Sequence, residues 1–346
     1  MRGLIVDAGR SGTARTVSDL PEPDPADGEI LGQAVAVGIC GTDREIVAGE
    51  FGEAPPSQPY LVVGHESLGR VLEDRSGTLA PGDLVAGIVR RPDPVPCDSC
   101  AVGEWDMCLN GLYTEAGIKQ RHGYARERWR VAPRFAVRLN PELGLAGVLV
   151  EPASVVSKAW EHIERIGRRA QWHPRTVLVT GAGPIGMLAA MLGVQRDLDV
   201  HVLDLMSAGR KPDLVRRLGA TYHDKPATEL SVRPDIVLEC TGADEVVVDI
   251  LGILGPDGIA CLTGVSTGRH PLHLDIGAGG RRVVLGNNVV FGSVNANRRH
   301  WRAGAAALHQ ADPAWLDALI TRRDPLDRFA DGLAATPDDV KNILVF

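Results

Sequence analysis

Over roughly the first 150 residues, apolar positions come in short runs cut by glycine and proline, at 4–6, 30–37, 67–72, 84–89 and 129–132. Short strands at this spacing predict a β-rich, barrel-like domain. From 151 to 166 the period lengthens, with Val155, Ala159, His162 and Ile166 close to 3.6 residues apart, which predicts a helix bridging two domains. Beyond Thr176 apolar strands at 177–179, 200–203, 236–238 and 259–262 alternate with helical stretches. That alternation predicts a parallel, doubly wound sheet. The tail turns irregular near 295 and ends in an apolar run at 340–345, expected to close back onto the first domain as a strand. The expected division is therefore 1–158 with 296–346, and 159–295. The run 283–292 reads either as an edge strand that pairs across a two-fold axis or as an internal strand of the second sheet; an exposed apolar edge needs a partner.

Composition narrows the class. The chain has 346 residues, enough for two domains, and its 40 glycines and 23 prolines are dispersed rather than clustered, which implies turns and not disorder. A formal net charge of −7 argues against nucleic acid or an anionic membrane as the main partner. The longest apolar stretch, around Leu188, is interrupted by Gln195-Arg196-Asp197, so no membrane span is expected. The start reads as a strand with an acid at Asp7 rather than a leader, and the expected location is the cytoplasm. In that reducing compartment six cysteines point to metal binding or free thiols.

The strand at 177–180 runs into Gly181-Ala182-Gly183-Pro184-Ile185-Gly186 and then into a helical stretch. The first glycine permits the turn, the second lets backbone amides approach a pyrophosphate, and the third lets helix pack on strand. Pro184 suits the first helical position, where its missing N–H costs nothing. A dinucleotide is expected here. Asp204, 18 residues past Gly186 at the end of the next strand, is placed to accept from the ribose hydroxyls and to repel a 2′-phosphate, so NAD is expected over NADP. Arg210 and Lys211 keep NADP open. Thr241-Gly242 and Gly264-Val265-Ser266 lie at later carboxyl strand ends, where such sheets bind ligand.

The first domain carries Cys40 in Gly38-Ile39-Cys40-Gly41-Thr42-Asp43 and, 25 residues on, Gly64-His65-Glu66. Thiolate, imidazole and carboxylate from two segments are the mixed donor set of a catalytic Zn²⁺ with an open position. Together with the Gly181–Gly186 turn, Pro81-Gly82-Asp83-Leu84-Val85 and Glu151-Pro152, these motifs resemble the zinc-dependent medium-chain alcohol dehydrogenases over essentially the whole chain. Residues 40–49, Val89-Arg90-Arg91-Pro92, Glu115-Ala116-Gly117-Ile118 and Val294-Asn295 look most like the glucose (aldose) 1-dehydrogenase branch.

The resemblance implies an α/β fold: a GroES-like catalytic domain followed by a Rossmann cofactor domain. It implies Cys40, His65 and Glu66 as zinc ligands, with Glu151 near enough to coordinate directly or through water. Thr42 would pass the hydroxyl proton toward solvent, Glu115 would bond sugar hydroxyls, and Asn295 would lie where nicotinamide and substrate meet. It also implies a homodimer or homotetramer. Two departures stand out. The branch usually has four cysteines for a second, structural zinc; here Cys97, Cys100 and Cys108 remain, with Asp93 near the place of the first, leaving either a zinc completed by Asp93 or a metal-free lobe. Val89 stands where glucose-oxidising relatives place Asn. The expected activity is hydride transfer from an aldose C1 hydroxyl to NAD. A polyol, cyclitol or amino-sugar substrate is the rival, and a non-catalytic NAD-binding protein the remote one.

Overall fold

The strand Ile30–Ile39 organises the first part of the molecule. Its first half alternates between interior and surface, as a strand covered on one face does, and from Ala36 onward every residue is buried. It pairs antiparallel with Glu66–Asp74, Arg128–Val131 and Lys341–Val345, so the chain's last strand does return to the first domain. Leu84–Gly87, Ala136–Arg138 and Ile320–Pro325 complete a seven-stranded sheet. These relations come from a computed structural model that describes residues 1–265 and 276–346. The sheet's interior is built on fully buried side chains such as Trp129, which meets Tyr124 edge-on at 5.1 Å.

By density of contacts the chain divides into Met1–Ser154 with Asn295–Thr336 and Lys341–Phe346, and Val155–Val294 with Pro337–Val340. The sequence puts the changeovers at 158/159 and 295/296. The first of them falls inside the helix Val150–Gly167, whose Val156, Ala159, Trp160 and Ile163 are buried at helical spacing.

The second unit holds six parallel strands in the spatial order Thr221–His223, Asp199–Leu203, Thr176–Thr180, Ile236–Glu239, Ile259–Leu262, Val289–Gly292. Thr176–Thr180 comes first in sequence yet lies in the middle, with its successors running outward on both sides. That reversal is the switch point at which doubly wound sheets bind ligand. Leu178, Val237 and Ala260 from three neighbouring strands pack with Ile250 and Leu254; burial of each large aliphatic side chain contributes roughly 1.5–3 kcal/mol.

Two expected strands are corrected. The run 84–89 leaves the ladder after Gly87, because the carbonyl of Ile88 accepts from the Tyr124 hydroxyl at 3.1 Å and from the Arg91 guanidinium instead of a neighbouring strand. Within 283–292, residues 283–285 end the helix Ile276–Leu285, and only Val289–Gly292 is a strand. Among the described residues it lies at the edge of the sheet, parallel to Ile259–Leu262.

Candidate metal centre and dinucleotide site

Cys40 closes the strand Ile30–Ile39 and precedes the short helix Gly41–Val47. Its backbone N–H donates to Asp43 Oδ2 at 3.0 Å, which ties the turn shut. The other carboxylate oxygen of Asp43 lies 3.3 Å from His65 Nδ1, and His65 Nε2 lies 3.1 Å from Cys40 Sγ. Asp43 thus lies beside one ring nitrogen while the other faces the thiol, the placement from which a carboxylate orients a metal-binding histidine. Burial opposes charge on His65, but Asp43 and Cys40 outweigh it and hold the ring well above the usual imidazole range. Burial likewise opposes ionisation of Asp43; the charge of His65 overcomes it and keeps the carboxyl low.

Glu66, next to His65, opens the strand Glu66–Asp74 and is 2% exposed. Both its oxygens accept from Lys341 Nζ, at 2.7 and 2.6 Å, and Lys341 also donates to the Ile39 carbonyl at 3.2 Å. Gly38 stands opposite Glu66 in the ladder; a Cβ there would sit 1.9 Å from Glu66 Oε2, so only glycine leaves room for this carboxylate. Glu151, in the first turn of its helix, completes the cluster: His65, Glu66 and Glu151 offer ligand atoms within 4.8 Å of one another, as do Cys40, Asp43 and His65. Burial of the carboxyl pushes Glu151 up to about 7; His65 pulls it down and the nearby Glu66 charge adds to the rise. A sulfur, an imidazole nitrogen and two carboxylates, with a third carboxylate beside the imidazole, are a donor set that fits Zn²⁺. Asp43 and Lys341 were not singled out from sequence. Asp43 had a signal, its place three residues after Cys40; Lys341 had none.

Thr42 is half-buried in the first turn of Gly41–Val47. Glu115 is 7% exposed and is no surface acid: Arg90 Nε and Nη2 each lie 3.0 Å from its Oε1, and Asn295 Nδ2 donates to the same oxygen at 2.7 Å. Asn295 holds a φ of 61°, unusual for a residue with a side chain. Its amide oxygen accepts from the N–H of Ala296, which fixes the amide group toward Glu115. Arg90, read from sequence only as part of a motif, is the link here, and its guanidinium stacks 3.6 Å over the Tyr113 ring. Val89 is buried, with its carbonyl accepting from Ala116 N–H at 2.9 Å.

The sulfurs of Cys97, Cys100 and Cys108 also converge, Cys97 and Cys108 at 4.0 Å. Backbone N–H groups of Leu109 and Cys100 bring Cys97 down to about 7, whereas burial takes Cys100 up to about 11. Asp93 does not join this group. Its carboxylate accepts from Val95 N–H at 2.9 Å and from the Asn110 amide, and it is Asn110 Oδ1 that meets Cys108 Sγ at 3.0 Å.

In the second unit, Thr176–Thr180 ends at Gly181 and the helix Pro184–Val194 begins with proline at its first position. A Cβ on Gly186 would lie 1.7 Å from the Gly181 carbonyl oxygen, whereas one on Gly183 would meet nothing within 4 Å. The turn is closed on its inner side and open at Gly183, where the helix begins, as a pyrophosphate site requires. Asp204 Oδ2 accepts from Ala182 N–H at 2.7 Å and lies 3.5 Å from Lys211 Nζ. Thr241 and Gly242 are held by Glu239, whose Oε1 accepts from both backbone N–H groups at 2.7 and 3.1 Å and from Thr180 Oγ1 at 3.2 Å. Glu239 is fully buried, a carboxylate that fixes this strand end and that sequence reading missed. Val265 is 80% exposed beside Gly242; Ser266 lies outside the described residues.

Residues 26–141 match the Alcohol dehydrogenase GroES-like domain, and residues 144–346 match the Glucose dehydrogenase C-terminus. The chain is 35% identical to glucose 1-dehydrogenase of Methanocella arvoryzae, covering 99% of this chain and 98% of that one. It is 38% identical to glucose 1-dehydrogenase 2 of Vulcanisaeta moutnovskia, covering 94% of each. Among solved structures, Haloferax mediterranei glucose dehydrogenase in complex with NADP, Zn and gluconolactone is similar with a TM-score of 0.91 at 30% identity, over 100% of this chain and 99% of that one. With both halves matched and relatives aligned from end to end, the chain belongs to the glucose dehydrogenase branch of the zinc-dependent medium-chain alcohol dehydrogenases.

Proposed function

We propose that this enzyme oxidises the anomeric hydroxyl of an aldose of the glucose type to a lactone, with hydride passing to NAD. The observation that carries the reading is the pair of clusters that meet at His65, Cys40 with Asp43 and His65, and His65 with Glu66 and Glu151, in the same unit as a buried Glu115 fixed by Arg90 and Asn295. The relatives named glucose 1-dehydrogenase, and the Haloferax protein solved with gluconolactone, support a sugar as substrate.

Cys40, His65 and Glu66 are the proposed zinc ligands, with Glu151 as the fourth group. A Zn²⁺ held there supplies charge stabilisation to a hydroxyl oxygen as its proton leaves. Thr42 Oγ1, which can accept and donate at once, moves that proton outward. Lys341 closes on both oxygens of Glu66 and so fixes the orientation of that carboxylate. Glu115 accepts from sugar hydroxyls, and Arg90 and Asn295 hold its carboxylate in one orientation. The carbon loses a hydride and the oxygen a proton, which together convert the cyclic alcohol to its lactone.

The Gly181–Gly186 turn takes the pyrophosphate, and Thr241, Gly242 and Val265 border the cofactor at the neighbouring strand ends. Asp204 favours NAD, since a 2′-phosphate would meet its negative charge; Lys211, 3.5 Å from that carboxylate, is the group that would admit NADP. The three clustered cysteines are read as a second, structural zinc site, with Asn110 rather than Asp93 beside the sulfurs. The free Val289–Gly292 edge, with Val290 37% exposed, supports a homodimer or homotetramer, and six unpaired cysteines support a cytoplasmic setting. No helix among the described residues is long and apolar enough to cross a membrane.

A second reading rests on Val89, which offers no side-chain polar group where an Asn contact to glucose is expected; it favours a polyol, cyclitol or amino sugar. A panel of aldoses, polyols, cyclitols and amino sugars, run with NAD and NADP on protein of measured zinc content, tests both. The aldose reading predicts the highest kcat/KM for an aldose with NAD, and a simple alcohol or a polyol outperforming every aldose would overturn it.

A further inference from the structure

A cavity of about 150 Å³ in the first unit, built by residues other than the proposed zinc ligands, is lined by Arg91, Arg121, Arg126, Arg130, His122 and a single carboxylate, Asp27. Arg126 and Arg130 are each 9% exposed and Arg91 is 8% exposed. Nε of Arg126, and Nε and Nη1 of Arg130, have no acceptor among the described residues. The other guanidiniums are only partly satisfied: Arg91 reaches the Ile88 carbonyl and the Tyr124 hydroxyl, Arg121 lies 3.6 Å from Asp27, and Arg130 Nη2 lies 3.5 Å from Glu73. Burial, with the added charge of Arg121, holds Arg126 below the ordinary guanidinium range. His122 adds no further positive charge, because burial and the charges of Arg126 and Arg121 bring it to about 4.

Four guanidiniums line a small polar cavity that has one lining carboxylate, Asp27, with Glu73 3.5 Å from Arg130 as a further one, and three of their buried N–H groups are unpaired; such an arrangement is costly unless an anion shares it. Guanidiniums present paired N–H groups that match the oxygens of phosphate. The volume is well below the roughly 300 Å³ at which drug-sized ligands begin to fit, so it suits one compact group rather than a nucleotide. We propose that this cavity binds a doubly charged tetrahedral oxyanion, inorganic phosphate or the phosphate group of a small monoester, through Arg126 and Arg130 with Arg91 and Arg121 completing the wall. The occupant braces the segment that supports the proposed metal centre. His122 Nδ1 accepts from Val62 N–H at 3.1 Å, and Gly123, Tyr124 and Ala125 donate to the carbonyls of Val62, Gly64 and Val63, the residues that lead into His65.

The test uses zinc-loaded protein with saturating NAD. Its thermal midpoint is followed against inorganic phosphate, glycerol 3-phosphate, formate and chloride at matched ionic strength. The expected result is a saturable rise with one or both phosphates and none with formate or chloride. The concentration at half-effect should increase at least tenfold in Arg126→Gln and in Arg121→Gln. Arg121, two-thirds buried and on the cavity rim, keeps the test available if the Arg126 variant does not fold. Comparison of the two phosphates identifies the source. A rise that tracks ionic strength alone, or one unchanged in the variants, would overturn the proposal.

Discussion

Lys341 and Asp43 each act on one proposed metal ligand, and they act differently. Lys341 is itself fully buried, and it compensates the buried charge of Glu66. Removal of one partner from a buried ion pair leaves an uncompensated charge and costs about 3–5 kcal/mol. Lys341→Met is therefore expected to lower stability by that order in urea titration, with Lys341→Arg recovering most of it. Asp43 orients a ring instead of neutralising one. Asp43→Asn keeps the shape but weakens the hold on His65 Nδ1, and zinc affinity measured against a competing chelator should fall about 10- to 100-fold. The two residues also mark how far the site was legible. Cys40, His65 and Glu66 lie in short glycine-flanked motifs whose residue types betray their chemistry, and Asp43 follows Cys40 within one helical turn. Lys341 meets Glu66 across 275 residues and Asn295 meets Glu115 across 180. No local pattern announces such pairs, because the sheet register and the return of the last strand create them.

At the scale of the element, the glycine-rich turn joins strand and helix with no slack. Pro184 sets the first helical turn, while Gly186 lies against the Gly181 carbonyl at a separation that excludes any side chain. Gly186→Ala must push the helix Pro184–Val194 off the strand, and the backbone amides at its start move with it. NAD affinity, followed by quenching of tryptophan fluorescence, is expected to weaken at least tenfold in this variant, while bound zinc stays at the wild-type level because no proposed zinc ligand is touched. Regular elements were legible where one face is buried, since the 2-residue and 3.6-residue periods then show directly in the apolar pattern. They were not where side chains capture the backbone. Ile88 and Val89 are as apolar as the strand before them, yet Tyr124 and Arg91 take the Ile88 carbonyl and end the ladder. Val283, Val284 and Leu285 read as strand by composition but finish a helix, with Asn287 at a φ of 50° turning the chain into the edge strand. β-branched composition gives no register by itself; the turn decides which residues pair.

For the whole molecule, the dependence of stability on pH should carry the mark of His122. In the folded chain burial, with Arg126 and Arg121, keeps this histidine neutral down to about 4; unfolded it takes a proton near its ordinary value of about 6.5. Below about 6.5 the unfolded state therefore binds the extra proton, and unfolding becomes easier as pH falls toward about 4; above about 6.5 the contribution is fully present. The groups facing it agree with this sign. Tyr60 stacks on the ring at 5.1 Å, Val62 N–H donates to Nδ1, and of the charged side chains lining the same cavity only Asp27 is negative. Because the ring retains some solvent exposure, the loss expected between pH 7.5 and pH 5 is discounted to about 1–2 kcal/mol. Urea midpoints at the two pH values in phosphate-free buffer measure it, and His122→Gln should remove most of the difference. Phosphate ought to diminish it as well, because an anion among the arginines favours the protonated imidazole and moves the folded value of His122 back toward its unfolded one. An acid-induced loss of the same size in His122→Gln as in the native sequence would assign that pH dependence to other groups.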